Sequence, residues 1–399
     1  MTNRWLPYHR VTFLLAAACT EPPTSEPETH PIIETIAGEN SDRAGFADGL
    51  GTAARFAAPE GLALDAAGRY LYIADSNNHT IRRLEVATHE VITIAGVGGE
   101  HGAGDGDLSS PARFDTPRNL VLSRDGATLF VTDVGNFVIR AIDVASASFP
   151  VTTVFGTATI PGSADGIGVA AQFGRTGFTT PWTGGLAIDG DTLYVADSGN
   201  QTIRQIDLVT REVVTIAGIV GMAGARDGDA AQALFHKPAG LLAERGAVWI
   251  TEANNIDVRL LDRGKVSTLA GNAPDDPRLF CENISPELPP ECGWLDAPVG
   301  VDARFRFPFG VTSDGAGGMF VVDSHSNVIR HVDLETTAVT TVAGVASELL
   351  DDIPRASTDS TELAPGTFSH PTHVAFAPPD TLFVSDRSAN CIRRVVLEP

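Results

Sequence analysis

The chain has 399 residues and a formal net charge of −22, from 50 acidic against 28 basic residues. So acidic a surface repels phosphate backbones, whose recognition depends on clustered Lys and Arg, and nucleic acid is excluded as a partner. No segment reaches the ~20 consecutive apolar residues of a membrane span, so contact with a membrane is expected only through a lipid anchor.

Arg4, His9 and Arg10 precede an apolar run over residues 11–18, and residues 1–19 read as a signal peptide. Cys19 directly follows Ala16, Ala17 and Ala18, which resembles a bacterial lipobox and makes Cys19 the candidate lipidation site. Ordinary cleavage after an Ala-x-Ala site also fits and would leave Cys19 unlipidated. Residues 20–31 are rich in Pro, Glu and Thr, cannot form a core, and read as an extended tether. The expected location is the cell envelope, as a membrane-anchored lipoprotein or otherwise as a periplasmic or secreted protein.

Residues 32–399 carry six copies of one pattern: an aromatic-led apolar strand ending in an acid, then an arginine seven positions on. The pairs are Asp75 and Arg82, Asp133 and Arg140, Asp197 and Arg204, Glu252 and Arg259, Asp323 and Arg330, and Asp386 and Arg393. Successive acids lie 55 to 71 residues apart, room for several short strands and a long loop. Self-similarity at a long period signals a repeat architecture. About ten residues after each of the first five arginines comes an outer strand ending in Gly, as in Val91-Ile92-Thr93-Ile94-Ala95-Gly96. Before each acid stands a Phe followed by Pro and a further apolar run, at Phe56, Phe114, Phe178, Phe235, Phe305 and Phe368. Each copy is therefore four strands joined by Gly-, Asp- and Asn-rich turns. The predicted fold is all-β, a six-bladed β-propeller of four-stranded blades. The sixth copy lacks its outer strand, and Ile33-Glu34-Thr35-Ile36-Ala37-Gly38 stands ready at the other end of the chain to complete that blade.

Cys281 and Cys292 lie eleven apart in a Pro-rich insertion of the fifth repeat, where a disulfide would suit an exported protein; two unpaired thiols are the alternative. Cys391 occupies a strand slot filled by Thr or Val in other copies and reads as a half-buried strand residue rather than a reactive thiol.

These repeats resemble NHL repeats, most closely at Asp75-Ser76-Asn77-Asn78-His79-Thr80-Ile81-Arg82 and Asp197-Ser198-Gly199-Asn200-Gln201-Thr202-Ile203-Arg204. Phe46-Ala47-Asp48-Gly49, echoed at Asp105-Gly106, Asp165-Gly166 and Asp227-Gly228, resembles the long bacterial variety. The later copies depart from the pattern, with Glu252 replacing the acid and Ser326 and Ala389 standing where Asn78 and Asn200 stand.

Used identically in every blade, the acid–arginine pairs read as scaffolding that joins strands across a turn or neighbouring blades. The Asp-Gly pairs read as turns, Gly supplying positive φ, with a weak calcium site as the other option. Some six-bladed relatives are enzymes. Resemblance to the peptidylglycine amidating lyases would imply three histidines around a zinc in the channel, but His79, His236, His325, His370 and His373 share no common offset. Resemblance to gluconolactonases would imply carboxylates and an Asn around a divalent cation. The residues after each landmark Pro (Glu60, Arg118, Trp182, Ala239, Phe309 and Thr372) make a poor metal cage and a plausible contact surface. With His236, Lys237, His370 and His373 they form the candidate ligand face. No catalytic, cofactor or metal residue is assigned. The function expected is a monomeric, non-enzymatic binding or scaffolding module for a protein or glycan, the alternative being a metal-dependent hydrolase or lyase.

Overall fold

A computed structural model describes residues 30–175, 184–271, 294–346, 357–361 and 364–397. Cys19, Cys281, Cys292 and Trp182 lie outside these residues. The described residues form six antiparallel sheets, each built from one repeat in the order inner to outer. Blade one comprises Pro59–Leu64, Tyr70–Asp75, Thr80–Glu85 and Glu90–Gly96. Blades two to five repeat this plan, and blade six takes Pro371–Ala377, Thr381–Asp386 and Cys391–Val396 from the C-terminal end. Its outer strand is Ile32–Gly38, paired antiparallel with Cys391–Val396 from Ile32↔Val396 to Gly38↔Cys391. The ring is thus closed by the two ends of one chain.

Six apolar clusters hold the blades together, one in each seam between neighbours. Both faces of every sheet are covered, which explains strands such as Leu193-Tyr194-Val195-Ala196 with no polar alternation. At ~1.5–3 kcal/mol for each fully buried large aliphatic or aromatic side chain, these seams supply the main drive to ring formation.

The acid–arginine pairs lie inside single blades, on the second and third strands, and all six arginines are fully buried. Arg82 Nη1 donates to Asp75 Oδ2 at 2.7 Å and to the Arg55 carbonyl at 3.0 Å. Arg82 Nη2 donates to Asp48 Oδ1 and to the Ala47 carbonyl, both at 2.7 Å. The Phe56 ring packs 5.1 Å from the guanidinium. The plan recurs around the ring: Arg140 with Asp105, Arg204 with Asp165, Arg259 with Asp227, Arg330 with Asp296 and Arg393 with Asp359. A threonine of the outer strand also donates to this second acid, as Thr93 does to Asp48.

This changes the reading of the Asp-Gly pairs. Their acids are second partners of the buried arginines, and Gly49–Leu50, Gly166–Ile167 and Gly228–Asp229 form short fifth strands at the rims of blades one, three and four. Two further assignments are corrected. The ring under Arg204 is Phe173, 5.1 Å away, not Phe178. Thirteen positions separate Phe173 from Leu186, against six from Phe56 to Leu62, so this repeat carries an insertion in which the Phe-x-x-Pro run beginning at Phe178 falls, while Phe173 itself is followed by Gly174-Arg175-Thr176. Cys391 is a strand residue as expected but fully rather than half buried, and burial pushes its thiol well above the usual range.

Burial also raises the carboxyl of Asp75 to about 6, and those of Asp133 and Asp386 to about 7, against the pull of the adjacent arginine. Removing the cation alone would strand a buried acid. Arg140→Met is expected to cost ~3–5 kcal/mol, whereas Asp105→Ala, which loses a half-exposed partner, should cost about 1 kcal/mol; urea unfolding of both variants checks the order. Deleting residues 30–38 should leave blade six with an exposed edge, read out as aggregation on gel filtration and a lowered melting temperature.

Candidate functional site

Inner strands start, and second strands end, on one face of the ring, as the pairing Pro59↔Asp75 shows. This top face also carries the turns between second and third strands. Just inside its mouth the inner strands come so close that a Cβ on Gly61 would lie 2.3 Å from the Arg118 carbonyl oxygen, and one on Gly240 2.1 Å from that of Phe309. The equivalent positions in blades two and six hold Asn119 and His373. Below this collar the inner strands of all six blades line a cavity of about 280 Å³, with Leu62, Leu120, Leu186, Leu241, Val311 and Val374 at equivalent positions around it. The wall at this depth mixes these aliphatic side chains with polar surface, His373 and Thr312 included.

Above the collar the blades differ. Glu60, only 4% exposed, lies between two arginines from other blades: its Oε2 is 3.2 Å from Arg118 Nε and its Oε1 accepts a hydrogen bond from Arg387 Nε at 3.1 Å. Both Glu60 oxygens are thus engaged by guanidinium groups, which leaves neither free to face a substrate. In blade five Phe309 stacks on Phe307 (5.9 Å), and Phe307 on His325 (4.4 Å). His325 meets the His370 ring edge-on at 5.2 Å. Burial lowers His325 to about 4, helped by the positive charge of Arg306 and Lys237. Burial, then His325 and Arg387, brings His370 to about 4. His373, in the collar, is held at about 4 by burial.

The structure thus links Glu60 with Arg118, and Phe309, Lys237 and His370 with one another through Phe307 and His325. His236 stands apart, its backbone N–H on Glu252 and its ring Nε2 3.1 Å from Asn254 Nδ2. Ala239 and Thr372 are buried. In blade three the mouth position is filled by Gly184, two residues before Leu186 as Glu60 is before Leu62. The sequence reading missed Arg387, Arg306 and Phe307. Arg387 follows the strand-ending acid where Ser76, Ser198 and Ser324 stand in other repeats, a signal visible on alignment of the copies.

Among the described residues no three His, Cys, Asp or Glu side chains gather so as to hold one metal ion. What the geometry offers is guanidinium groups paired with a carboxylate, imidazoles held neutral by burial and a short aromatic stack.

Since the folded pKa values of His325 and His370 lie below the free value, their contribution to stability is complete above about 6.5 and is lost as pH falls through about 4. An NMR titration of the histidine ring signals should show both neutral at pH 5.5, with midpoints near 4.

No protein-family model matches the chain. It is 25% identical to human NHL repeat-containing protein 2 over 365 residues, covering 85% of this chain and 46% of that protein. The chain spans between about a quarter and a half of the length of this relative and of another curated relative, from Arabidopsis thaliana. Among solved structures it is similar to an auxiliary nutrient binding protein from Bacteroides thetaiotaomicron, with TM-score 0.62, 15% identity and coverage of 92% of this chain and 77% of that one. It is also similar to a gluconolactonase from Xanthomonas campestris, with TM-score 0.51, 10% identity and coverage of 93% and 95%. At these identities the structures share the fold alone.

Proposed function

We propose that this chain, a six-bladed propeller of the NHL-repeat family, works as a non-enzymatic binding module that offers its top face to a protein or glycan partner. The observation that supports this reading is the contrast between layers. Below the mouth, every blade repeats the same buried arginine, two acids and Phe; at the mouth, the equivalent positions carry Glu60, Arg118, Gly184, Ala239, Phe309 and Thr372. A repeated scaffold carrying varied side chains at one end is the arrangement of a recognition surface. Aromatic and Arg side chains, the types enriched at binding hot spots, stand there.

The same fold serves nutrient binding in one similar structure and lactone chemistry in another, so fold alone does not choose between them. The pairing of Glu60 with two arginines favours binding. Residues 1–19 and 20–31 fit export and tethering through Cys19, which would set the domain at the cell envelope.

The test is retention against turnover. The full chain is expected to be retained saturably on one class in a panel of immobilised polysaccharides, peptidoglycan fragments and peptides, and Lys237→Ala/Phe309→Ala should abolish that retention. Hydrolysis of lactones or esters that requires added Mg²⁺, Ca²⁺ or Zn²⁺ and stops with chelator would sink the non-enzymatic reading.

A further inference from the structure

Two arginines flank one buried carboxylate at the channel mouth of a protein that is otherwise strongly acidic, and two further cations lie near His325 on the same face. Arg118 and Arg387 flank Glu60, while Arg306 and Lys237 act on His325. They come from blades two, six, five and four. Asp115 also stands on this face, 3.7 Å from His79.

The Glu60 trio has an unusual division of labour. One buried carboxylate takes the Nε side of both guanidinium groups, at 3.2 and 3.1 Å. Among the described residues no hydrogen bond occupies the Nη atoms of Arg118 or Arg387. Arg387 is oriented by its hydrogen bond to Glu60 and Arg118 is held beside it by charge, its Nε making no hydrogen bond; the trio has a formal net charge of +1. An Arg held this way presents a planar fork matched to a planar carboxylate, and little side-chain entropy is left to lose on binding.

From Arg387, whose backbone N–H donates to the His370 carbonyl, ring contacts continue from His370 through His325 to the Phe307–Phe309 stack. Among the described residues no further ring covers Phe309. The site thus combines an anion receptor with an aromatic shelf.

We propose that the mouth binds an acidic saccharide, a hexuronate unit whose carboxylate is gripped by Arg118 and Arg387 and whose neighbouring ring lies on Phe309. This rests on the reading of the top face as a binding surface and names its ligand class. An acidic peptide would satisfy the arginines but would make no use of a flat ring surface beside them.

The probe is trigalacturonate, titrated calorimetrically into the full chain, with its methyl ester and hexaglutamate in parallel. Saturable binding is expected, about tenfold or more weaker for the ester, since the charged acceptor is lost. Arg387→Gln should weaken binding by a similar factor and Phe309→Ala severalfold, while Arg69→Gln on the opposite face should change nothing. Melting temperatures of the variants guard against misfolding; because Arg387→Gln disturbs Glu60, Phe309→Ala provides the independent arm. Equal binding of acid and ester, or hexaglutamate binding as tightly as the sugar, would overturn the inference. So would no binding of trigalacturonate. If the top-face variant still abolished retention on the wider panel, the acidic-sugar assignment alone would fall; if nothing were retained there either, both readings would fall.

Discussion

Everything in this ring hangs on a guanidinium buried between two carboxylates. Arg82 and its five counterparts reach from the third strand of a blade to the connector arriving from the previous blade, and fasten it by side chain and by backbone carbonyl. An ion so deep is costly unless its N–H groups are used and the counter-charge is close. The inner acid supplies the close counter-charge and is itself saturated, Asp75 accepting from the Ala57 amide and from Asn78 as well as Arg82, while both Arg82 Nη atoms are paired and its buried Nε has no hydrogen-bond partner. The apolar seams drive association of the sheets but would tolerate small slips between them. The arginine does not, because a shift of one residue would leave both of its acids behind. Register and blade spacing follow from that constraint.

Between blades a lighter set of polar latches acts at the top. His79 Nδ1 accepts from the Thr116 amide, Gln201 from Lys237, Asn327 from His370 and Asn390 from Ala58. Each acceptor side chain sits at a left-handed turn residue and reaches the residue before the next blade's Pro, itself left-handed. The Asn390–Ala58 latch spans the seam between blades six and one, so closure there is made twice, once by the exchanged strand and once by this bond.

Much of this was legible in the residues. Six acids with six arginines at constant offset, five outer strands and one displaced to the front define six blades and their closure with no further information. The second acid was visible but disguised, because Asp-Gly also spells a turn. Only its separation from the arginine, 34 residues in blades one, five and six, distinguishes it. Phe178 misled because it heads the Phe-x-x-Pro run of this repeat, whereas the true ring, Phe173, is followed by Gly174-Arg175-Thr176 and lacks the landmark Pro, so packing alone identifies it. Glu60 with Arg387 was beyond reach. The two are 327 positions apart and meet only because the ring shuts between blades six and one.

The exchanged strand also fixes an orientation. Ile32 pairs with Val396 and Gly38 with Cys391, so Ile32–Gly38 climbs blade six from the lower rim to the upper. Whatever lies ahead of Ile32 therefore leaves the ring at its underside. A surface holding the chain by those preceding residues would face the underside, and the mouth with its arginines and aromatic stack would open away from it. The same strand that closes the ring would act as a gimbal, keeping the dish turned outward while the mount beneath it swivels.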